Sequence, residues 1–317
     1  MNKPKIKIVV ITGPTASGKT RLAVALAEKF KCEIISADSR QVYKGMDIGT
    51  GKDLQEYRSL RYHLIDIVSP QDEYNLAQFR EDAPAAIVDI HKRGNIPLVC
   101  GGSAMYLDCL ISEYSLPGRG QDSNARESLK NLHCSELASI LGEKLSEDEA
   151  KNKNRLIRRI ERKIDSVNKA ADFPFVPEWL VIGVLRDRRE IHRRIEERLK
   201  QRLADGMLEE VACLNRNGVS WERLEFFGLE YKYLSMHLQG KLSKEEMYST
   251  LLAKIRNFAR RQDVWFRKME KKGMKIHWIR DGNIGIAENL MQNFLLGFKI
   301  QDPDIRMSDI YYGKKTS

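Results

Sequence analysis

The chain has 317 residues, 42% of them hydrophobic and 31% charged, which is enough to bury a full core in one large domain or two. Its N-terminal residues lead directly into an apolar run and no long uninterrupted apolar segment follows, so we expect neither a signal peptide nor a membrane span. The five cysteines are widely spaced and form no Cys-x-x-Cys pair, which favours a cytoplasmic protein in a reducing environment and argues against a zinc module.

The net charge of +10 is unevenly distributed along the chain. Residues 151–202 contain sixteen Lys and Arg against eight Asp and Glu, and residues 251–280 contain ten against two. The rest of the chain is therefore net acidic. Clustered positive charge on such a chain indicates a polyanionic partner, most often nucleic acid, with solvated helix faces as the alternative.

The first predicted elements surround a phosphate-loop pattern. Residues 6–11 form an apolar strand, residues 13–20 read GPTASGKT and match G-x-x-x-x-G-K-[ST], and a helix is predicted over 19–30. Glycines let backbone amides approach phosphate oxygens, and the helix points its positive dipole end at them. Lys19 adds an ammonium group and Thr20 a hydroxyl that can reach a phosphate-bound metal. The pattern predicts that the chain binds a polyphosphate.

Strands and helices then alternate. We predict strands over 33–37, 62–67 and 96–100 and a helix over 75–92, with Asp38 and Gly101-Gly102 directly after two of the strands. This alternation predicts an α/β fold, a P-loop NTPase-like parallel sheet flanked by helices. Ligands of such sheets gather at the carboxyl ends of the strands.

The middle of the chain differs in composition from the first third. Residues 112–178 are polar and helical, which predicts an inserted helical subdomain between two parts of the core, 1–111 and 179–317. A strand over 179–185 returns to the sheet. The chain is then mainly helical to about 270, and a short strand over 275–279 precedes a polar C-terminal tail.

Three carboxylates follow apolar residues. Asp38 could hold magnesium or act as a general base towards an acceptor. Asp66 competes for the metal site but could equally be a structural carboxylate in a turn, and Asp89 is discounted because it falls within a helix. Ser103 starts a helix after Gly101-Gly102, so its hydroxyl either contacts an anion or caps the helix.

Two helical segments carry further candidate residues. Six arginines lie after the strand over 179–185, where phosphate-transferring enzymes need cations: Arg186, Arg188, Arg189, Arg193, Arg194 and Arg198. For each one alone, a solvated position is the more common outcome. The helix predicted over 246–270 has an apolar face that consists of Leu251, Ile255, Phe258, Gln262, Trp265 and Met269. Gln262 is polar within this face and needs a partner, either structural or a ligand.

An ordered series of motifs covers most of the chain. It comprises Gly13 to Thr20, Asp38-Ser39-Arg40-Gln41-Val42-Tyr43 continuing to Lys52, His63 to Asp66, Gly101-Gly102-Ser103, Asp205 to Val211, and Ala259-Arg260-Arg261-Gln262 with Trp265-Phe266-Arg267. In this series the chain resembles the tRNA dimethylallyltransferases. The resemblance implies transfer of a dimethylallyl group from its diphosphate to the N6 amine of the adenosine 3′ to the anticodon in tRNA.

The resemblance also implies roles for individual residues. Asp38 takes the proton from the amine, Ser103 contacts the leaving oxygen, and Mg²⁺ accompanies the diphosphate with Thr20 as its ligand. The diphosphate site consists of Gly13, Thr15, Ala16, Ser17, Gly18, Lys19 and Thr20. The residues expected near the tRNA anticodon stem-loop are Asp38, Ser39, Arg40, Gln41, Asn154, Arg155, Leu156, Ile157, Arg158, Arg260, Arg261, Gln262, Trp265 and Arg267. No obligate protein partner is implied, which is consistent with a monomer.

The chain departs from the family pattern at two places. Family members usually have threonine where Ser103 stands, although the hydroxyl is retained. A common His-Pro-Asn-Asp-like stretch is replaced by Lys151-Asn152-Lys153-Asn154, and the insert is short. The absence of a C-terminal zinc finger favours a bacterial-type enzyme. The alternatives are a phosphate-loop small-molecule kinase, a non-catalytic tRNA-binding relative, and a transferase that uses free AMP as acceptor.

Overall fold

The protein is built on one parallel β-sheet. Its structure, a computed structural model, describes residues 3–111, 123–143, 145, 150, 152–164 and 173–310. Six strands pair in parallel in the order β3-β2-β4-β1-β5-β6. They are β1 (Lys5–Thr12), β2 (Cys32–Ser36), β3 (Tyr62–His63), β4 (Ile96–Gly101), β5 (Val176–Leu185) and β6 (Ile276–Arg280). The predicted α/β fold with a parallel sheet is confirmed.

Helices connect the strands and follow them. In chain order they are α1 (Lys19–Phe30), α2 (Leu76–Lys92), α3 (Ala104–Ile111), α4 (Ser123–Asn131), α5 (Cys134–Leu141), α6 (Lys153–Ile164), α7 (Arg188–Ala204), α8 (Met207–Arg216), α9 (Trp221–Phe227), α10 (Leu229–Leu238), α11 (Lys244–Lys271) and α12 (Ile284–Leu296). Short 3-10 turns occur at Leu54–Tyr57 and Met307–Asp309. Of the helices in the described ranges, none combines the length and the apolar character needed to cross a bilayer.

Both faces of the sheet are covered, which explains the near-continuous apolar sequence of β1. Ile8 and Val10 point into a core that α2, α3 and α11 complete, whereas Val9 and Ile11 point to the opposite face. There the core is completed by α1 and by α12. The site at the end of β1 is therefore held by a strand that is packed on both sides.

Two predicted strand boundaries are wrong, and one helix was not predicted. The strand predicted over 62–67 stops at His63, because Leu64 (φ 60°) and Asp66 (φ 56°) adopt left-handed backbone conformations that end the pairing. β5 begins at Val176, inside the predicted insert, because it extends alongside the start of β1. The predicted polar tail contains α12, which Asn283 caps through the N–H of Ile286 and which buries Ala287 and Met291.

The middle segment has its own small core. α4, α5 and α6 surround Leu137, Leu141, Leu156, Ile157 and Ile160, all of them buried. The predicted helical character of this region is confirmed for the residues that the structure describes. Residues 112–122 and 165–172, at the two ends of the predicted subdomain, lie outside the described ranges, and its role in tRNA binding stays a prediction.

Candidate active site

A cavity of about 540 Å³ opens at the carboxyl edge of the sheet. The phosphate loop, the segments after β2 and β4, the loop at 49–53, and α7, α10 and α11 contribute to its walls. The lining residues with ionisable or hydroxyl side chains include Lys19, Thr20, Asp38, Ser103, Arg198, Arg202 and Glu230. Residues from opposite halves of the chain meet here because parallel strands end at the same edge.

The phosphate loop has the conformation that an anion site requires. Gly13 has φ 151°, and a Cβ there would lie 2.9 Å from the carbonyl oxygen of Val184, so only glycine fits. Gly18 (φ 93°) is the N-cap residue of α1, and because it has no side chain, it leaves the first amides of the helix uncapped. The free amides and positive dipole end of α1 therefore face the cavity.

Arginines from the segment after β5 hold the outer side of this loop. Arg186 Nε donates to the carbonyl of Ser17 (2.6 Å), and Arg194 Nε donates to that of Ala16 (2.8 Å). Because these guanidinium groups bind two successive carbonyl oxygens, they fix the backbone of the loop at Ala16 and Ser17. These two arginines are thus structural supports of the loop.

The other arginines of the group have different partners. Arg188 pairs with Asp263 (2.7 Å), and the exposed Arg193 pairs with its helix neighbours Glu190 and Glu197. Arg198 donates to the Thr15 hydroxyl and lines the cavity. Of the six arginines singled out from the sequence, Arg198 is the one among the lining residues.

Cations crowd the inner part of the cavity. Burial, reinforced by the nearby Arg202, lowers the pKa of Arg198 to about 10. Burial is also the main cause that lowers the pKa of Lys19. Burial raises the pKa of Glu230, a carboxylate of the same cavity. A polyanion that enters would relieve the repulsion among these cations.

Asp38 and Ser103 lie on neighbouring connections. The N–H of Ala37 donates to the carbonyl of Cys100 (2.8 Å), and the N–H of Ser39 donates to the Ser103 hydroxyl (3.3 Å). Asp38 Oδ1 accepts from the N–H of Arg40 (2.9 Å). The Ser103 hydroxyl thus braces the loop after β2, and its contact with an anion stays a prediction. Asp38, Ser103, Lys19 and Thr20 line the same cavity, and their chemical roles stay predictions.

The side-chain amide of Gln262 is hydrogen-bonded within the protein. Its Oε1 accepts from the N–H of Thr15 (2.8 Å), and its Nε2 donates to the carbonyl of Gly102 (2.7 Å). The buried amide therefore ties the phosphate loop to the segment after β4. Since both ends of this amide are engaged within the protein, the geometry favours this structural role over the predicted contact with tRNA.

The remaining predicted tRNA residues of α11 differ in exposure. Arg260 and Arg261 are exposed, and Arg261 also lines the cavity. Arg267 donates to the carbonyls of Met307 and Ile310 and so fastens the C-terminal segment to α11. Trp265 is half-buried beneath the Lys268 ammonium, 5.2 Å from its ring centroid.

The buried face of α11 is wider than predicted. Ala259 and Phe266 are fully buried, whereas Phe258 and Trp265 are half-buried. The Phe266 ring contacts the ring of Trp278 on β6 at 5.5 Å between centroids. Leu251, Ile255, Gln262 and Met269 are buried as predicted, so the buried stripe is only widened towards Ala259 and Phe266, and Phe258 lies at the cavity wall.

The predicted tRNA residues on α6 fall into two groups. Leu156 and Ile157 are 1% and 2% exposed in the core of the helical unit, so their side chains cannot reach RNA. Arg155 and Arg158 are exposed on the same helix, which also carries Asn154. The amphipathic helix turns the two apolar side chains inward, so the exposed arginines are the side chains of this segment available to tRNA, and the contact itself stays a prediction.

The three predicted residues after Asp38 line the cavity. Gln41 additionally bridges two segments, because it accepts from the Ser36 hydroxyl (2.7 Å) and donates to the carbonyl of Gly51 (2.9 Å). Ser39 contacts Ser103 as described, and Arg40 lies over the rings of Phe226 and Phe227.

The loop at 47–51 has an anchor that sequence reasoning missed. Glu210 on α8 accepts from three successive backbone amides, of Asp47 (2.7 Å), Ile48 (2.6 Å) and Gly49 (3.0 Å), and from the hydroxyl of Tyr231 (2.7 Å). The motif at 205–211 was visible in the sequence, but nothing in it indicated which distant backbone the carboxylate would bind.

Asp66 has a structural role. The buried ammonium of Lys52 pairs with Asp66 and with Asp47 (2.6 Å) and donates to the carbonyl of Tyr43 (2.8 Å). Asp66 is not among the residues that line the cavity. Asp89 is exposed on α2 beside Arg93 (3.9 Å), as expected for a residue within a helix.

Comparison with known proteins identifies the family. A family model described as IPP transferase matches residues 41–269, about seven tenths of the chain. The chain belongs to the IPP transferase family. One relative, the tRNA dimethylallyltransferase 2 of Pelobacter propionicus, is 44% identical over 90% of this chain and 94% of its own length.

Solved structures of family members share the fold. The full-length tRNA isopentenylpyrophosphate transferase of Bacillus halodurans is 31% identical, covers 92% of this chain and 96% of its own, and superimposes with a TM-score of 0.67. A eukaryotic dimethylallyltransferase acting on tRNA, 24% identical, matches 94% of this chain and 81% of its own with a TM-score of 0.79, which supports the fold alone. The arrangement of sheet, phosphate loop and helices is thus that of an IPP transferase.

Proposed function

We propose that this IPP transferase moves a dimethylallyl group from dimethylallyl diphosphate to the N6 amine of the adenosine 3′ to the anticodon in tRNA. The observation that carries the proposal is one cavity in which a phosphate loop and a cluster of cations face a carboxylate, Asp38. Its relatives are named tRNA dimethylallyltransferases. In prenyl transfer, the phosphate loop and the cations would bind the leaving diphosphate, and Asp38 would face the acceptor.

The proposed step is a displacement at the allylic carbon. The N6 nitrogen forms a bond to that carbon while the C–O bond breaks, and the diphosphate leaves with the electron pair. The extra proton on nitrogen passes to Asp38. Charge that develops on the leaving oxygen is stabilised by the loop amides, by Lys19 and Arg198, and by a hydrogen bond from the Ser103 hydroxyl.

Magnesium belongs to the proposal as a companion of the diphosphate. Thr20 at the start of α1 offers its hydroxyl to a metal that the phosphates bring with them, and the ion would neutralise part of their charge. No group of three or more His, Cys, Asp or Glu suited to a metal occurs in the described ranges. The residues therefore fit an ion held mainly by substrate oxygens and water.

The acceptor side of the proposal is an anticodon loop. The basic windows at 151–202 and 251–280 offer contacts to phosphates, and the adenosine must be turned out of the loop to bring its amine to Asp38. All five cysteines are free, which suits a cytoplasmic enzyme. We propose that the protein acts on tRNA without an obligate protein partner.

The decisive experiment supplies dimethylallyl diphosphate, Mg²⁺ and unmodified tRNA to the purified protein and measures the mass of the nucleosides after digestion. We expect an adenosine heavier by one dimethylallyl group, and parallel reactions test AMP as acceptor. ATP turnover without prenylated adenosine would favour a phosphate-loop kinase. tRNA binding without any product would favour a non-catalytic relative.

A further inference from the structure

An aromatic side chain stands exposed at the rim of the cavity. Phe226, near the end of α9, has 63% of its surface exposed, whereas the adjacent Phe227 is buried and lines the cavity. The two rings meet edge to face at 6.4 Å between centroids. An exposed phenylalanine costs hydration free energy on any surface, and this one continues an aromatic wall that begins inside the site.

Two guanidinium groups flank the exposed ring. Arg223 lies 5.2 Å from the centroid of Phe226 and 4.8 Å from that of Phe227, and Arg40 lies 6.0 Å and 5.6 Å from the same centroids. Arg223 is oriented by the carbonyls of Pro70 (2.8 Å) and Asp72. The backbone N–H of Arg40 donates to Asp38, which fixes the main chain there, and its guanidinium rests against the two rings. The aromatic surface and its charges are therefore preorganised beside the candidate base.

We propose that Phe226 is a stacking platform for an unpaired nucleobase next to the adenosine that enters the cavity. Proteins that bind single-stranded nucleic acid combine exposed aromatic rings, which stack on bases, with cations that bind the backbone phosphates. Phe226 supplies the ring, and Arg40 and Arg223 supply the cations. When one base turns into the cavity, its neighbour loses a stacking partner, and a ring at the rim replaces that partner.

The charges distinguish this occupant from an apolar one. A prenyl chain or an apolar protein segment would gain from Phe226 but would have to cover two guanidinium groups, which costs desolvation. A nucleotide offers a π face to the ring and a phosphate to the guanidinium groups. The platform also adjoins the acceptor side of the cavity, since Arg40 follows Asp38 by two residues.

This inference rests on the proposed function, and its test uses the full-length protein with an unmodified anticodon stem-loop. Phe226→Ala is expected to weaken stem-loop binding by about 5- to 100-fold, the usual effect of losing one base–aromatic stack. Phe226→Leu should weaken it similarly, whereas Phe226→Trp should bind within about 3-fold of wild type, since stacking requires an aromatic ring. The KM for dimethylallyl diphosphate should stay unchanged.

Phe298 provides a matched control because it is also 63% exposed. It follows α12, whose Leu295 carbonyl accepts from Lys7 at the start of β1, so it lies at the end of the sheet opposite the cavity. Phe298→Ala should leave stem-loop binding unchanged. Thermal unfolding of every variant shows whether the fold is retained.

Abasic stem-loops identify the stacked base. At one position beside the adenosine, removal of the base should weaken binding to wild type but not weaken binding to Phe226→Ala any further. Normal binding by Phe226→Ala, normal binding by Phe226→Leu, or equal abasic effects in wild type and Phe226→Ala would each overturn the platform. Wild-type protein that binds the stem-loop with this coupling but forms no prenylated adenosine would instead overturn the proposed function alone.

Discussion

Asp38 and Asp66 both follow strands at the carboxyl edge of the sheet, but the groups around them give them different roles. Asp66 pairs with Lys52, whose ammonium is buried and also binds Asp47. Asp38 faces the cavity beside Ser103. At the scale of the residue, a carboxylate that neutralises a buried cation is structural, whereas one that faces a substrate-sized cavity is available for proton transfer.

Replacing Asp38 tests this distinction. Asp38→Asn keeps the shape of the side chain but removes the base, so we expect turnover to fall by about 10²- to 10⁴-fold. Binding of inorganic diphosphate, measured by calorimetry, should persist because the phosphate loop is untouched. Asp89→Asn, at an exposed carboxylate on α2, should have normal turnover. Near-normal turnover of Asp38→Asn would place the base elsewhere.

Gly51 makes room for one of the cavity cations. It has φ +63°, and a Cβ there would overlap the guanidinium of Arg202. Gly51→Ala should displace Arg202 from the cavity and weaken diphosphate binding by about 10-fold or more, because the cavity then presents one cation fewer to the phosphates. Calorimetric titration with inorganic diphosphate measures this change.

Gly240→Ala is the control that distinguishes the overlap with Arg202 from backbone strain. Its φ of +71° is similar, but an added Cβ would meet no described atom within 4 Å. Gly240→Ala should therefore cost about 1 kcal/mol of stability and leave diphosphate binding intact. If both alanine variants lose diphosphate affinity equally, strain rather than displacement of Arg202 is the cause.

At the scale of the element, the wall at 47–51 is held by a side chain from a distant helix. This segment has no regular secondary structure, so its amides need partners from elsewhere. Glu210 on α8 binds three of them, and the hydroxyl of Tyr231 on α10 completes the arrangement. Two helices thus position a loop that lines the cavity at Gly49, Thr50 and Gly51.

Glu210→Gln should loosen this wall. The carboxylate accepts charge-assisted bonds, and an amide would turn an NH₂ group towards one of the loop amides. We expect kcat/KM for dimethylallyl diphosphate to fall by about 10-fold and hydrogen exchange at residues 47–49 to accelerate. Glu209→Gln, at the exposed neighbouring position, should change neither quantity. Unchanged exchange at 47–49 in Glu210→Gln would contradict the anchoring role.

Most elements could be predicted from the sequence because their signals are local. The helices predicted over 19–30 and 75–92 agree with α1 and α2 to within a residue. The early end of β3 and the presence of the helix α12 were not predicted. Left-handed turns at Leu64 and Asp66 and the docking of Ala287 and Met291 on the sheet depend on neighbours that are remote in sequence.

At the scale of the whole molecule, Glu33 joins three parts of the fold. Its buried carboxylate accepts from Arg93 Nε and Nη2 (both 2.8 Å) after α2 and from Asn95 Nδ2 (2.8 Å), and it lies 2.7 Å from His63 Nε2 on β3. Burial alone would raise the pKa of Glu33, but the bonds from Arg93, Asn95 and His63 outweigh it and lower the pKa to about 2.

This lowered pKa predicts a pH-dependent stability. The carboxylate stabilises the fold above its unfolded pKa of 4.5, and this contribution is lost as the pH falls towards about 2. Glu33→Gln should lower the free energy of unfolding at pH 7 by about 2 kcal/mol, a value discounted because Arg93 is partly exposed. The difference from wild type should shrink below pH 4.5.

Urea unfolding at pH 7, 4 and 3 measures the effect. Glu288→Gln, which removes the exposed ion pair with Lys29, should change stability by less than about 1 kcal/mol at pH 7. A difference between wild type and Glu33→Gln that stays constant from pH 7 to pH 3 would contradict the lowered pKa. Diphosphate binding at pH 7 should be unaffected, since Asn95 precedes β4 at the edge of the sheet opposite the cavity.

By itself, the sequence determined the parallel α/β fold, the phosphate loop, the resemblance to the tRNA dimethylallyltransferases, and Asp38 and Ser103 as candidate site residues. These depend on short motifs and on local periodicity. The tertiary structure decided that Arg198 and Arg202 line the cavity, that Gln262 and Glu210 hold backbone, and that Phe226 stands at the rim. Each depends on segments far apart in the chain, and only packing determines which of many similar arginines, glutamates and aromatic residues meet there.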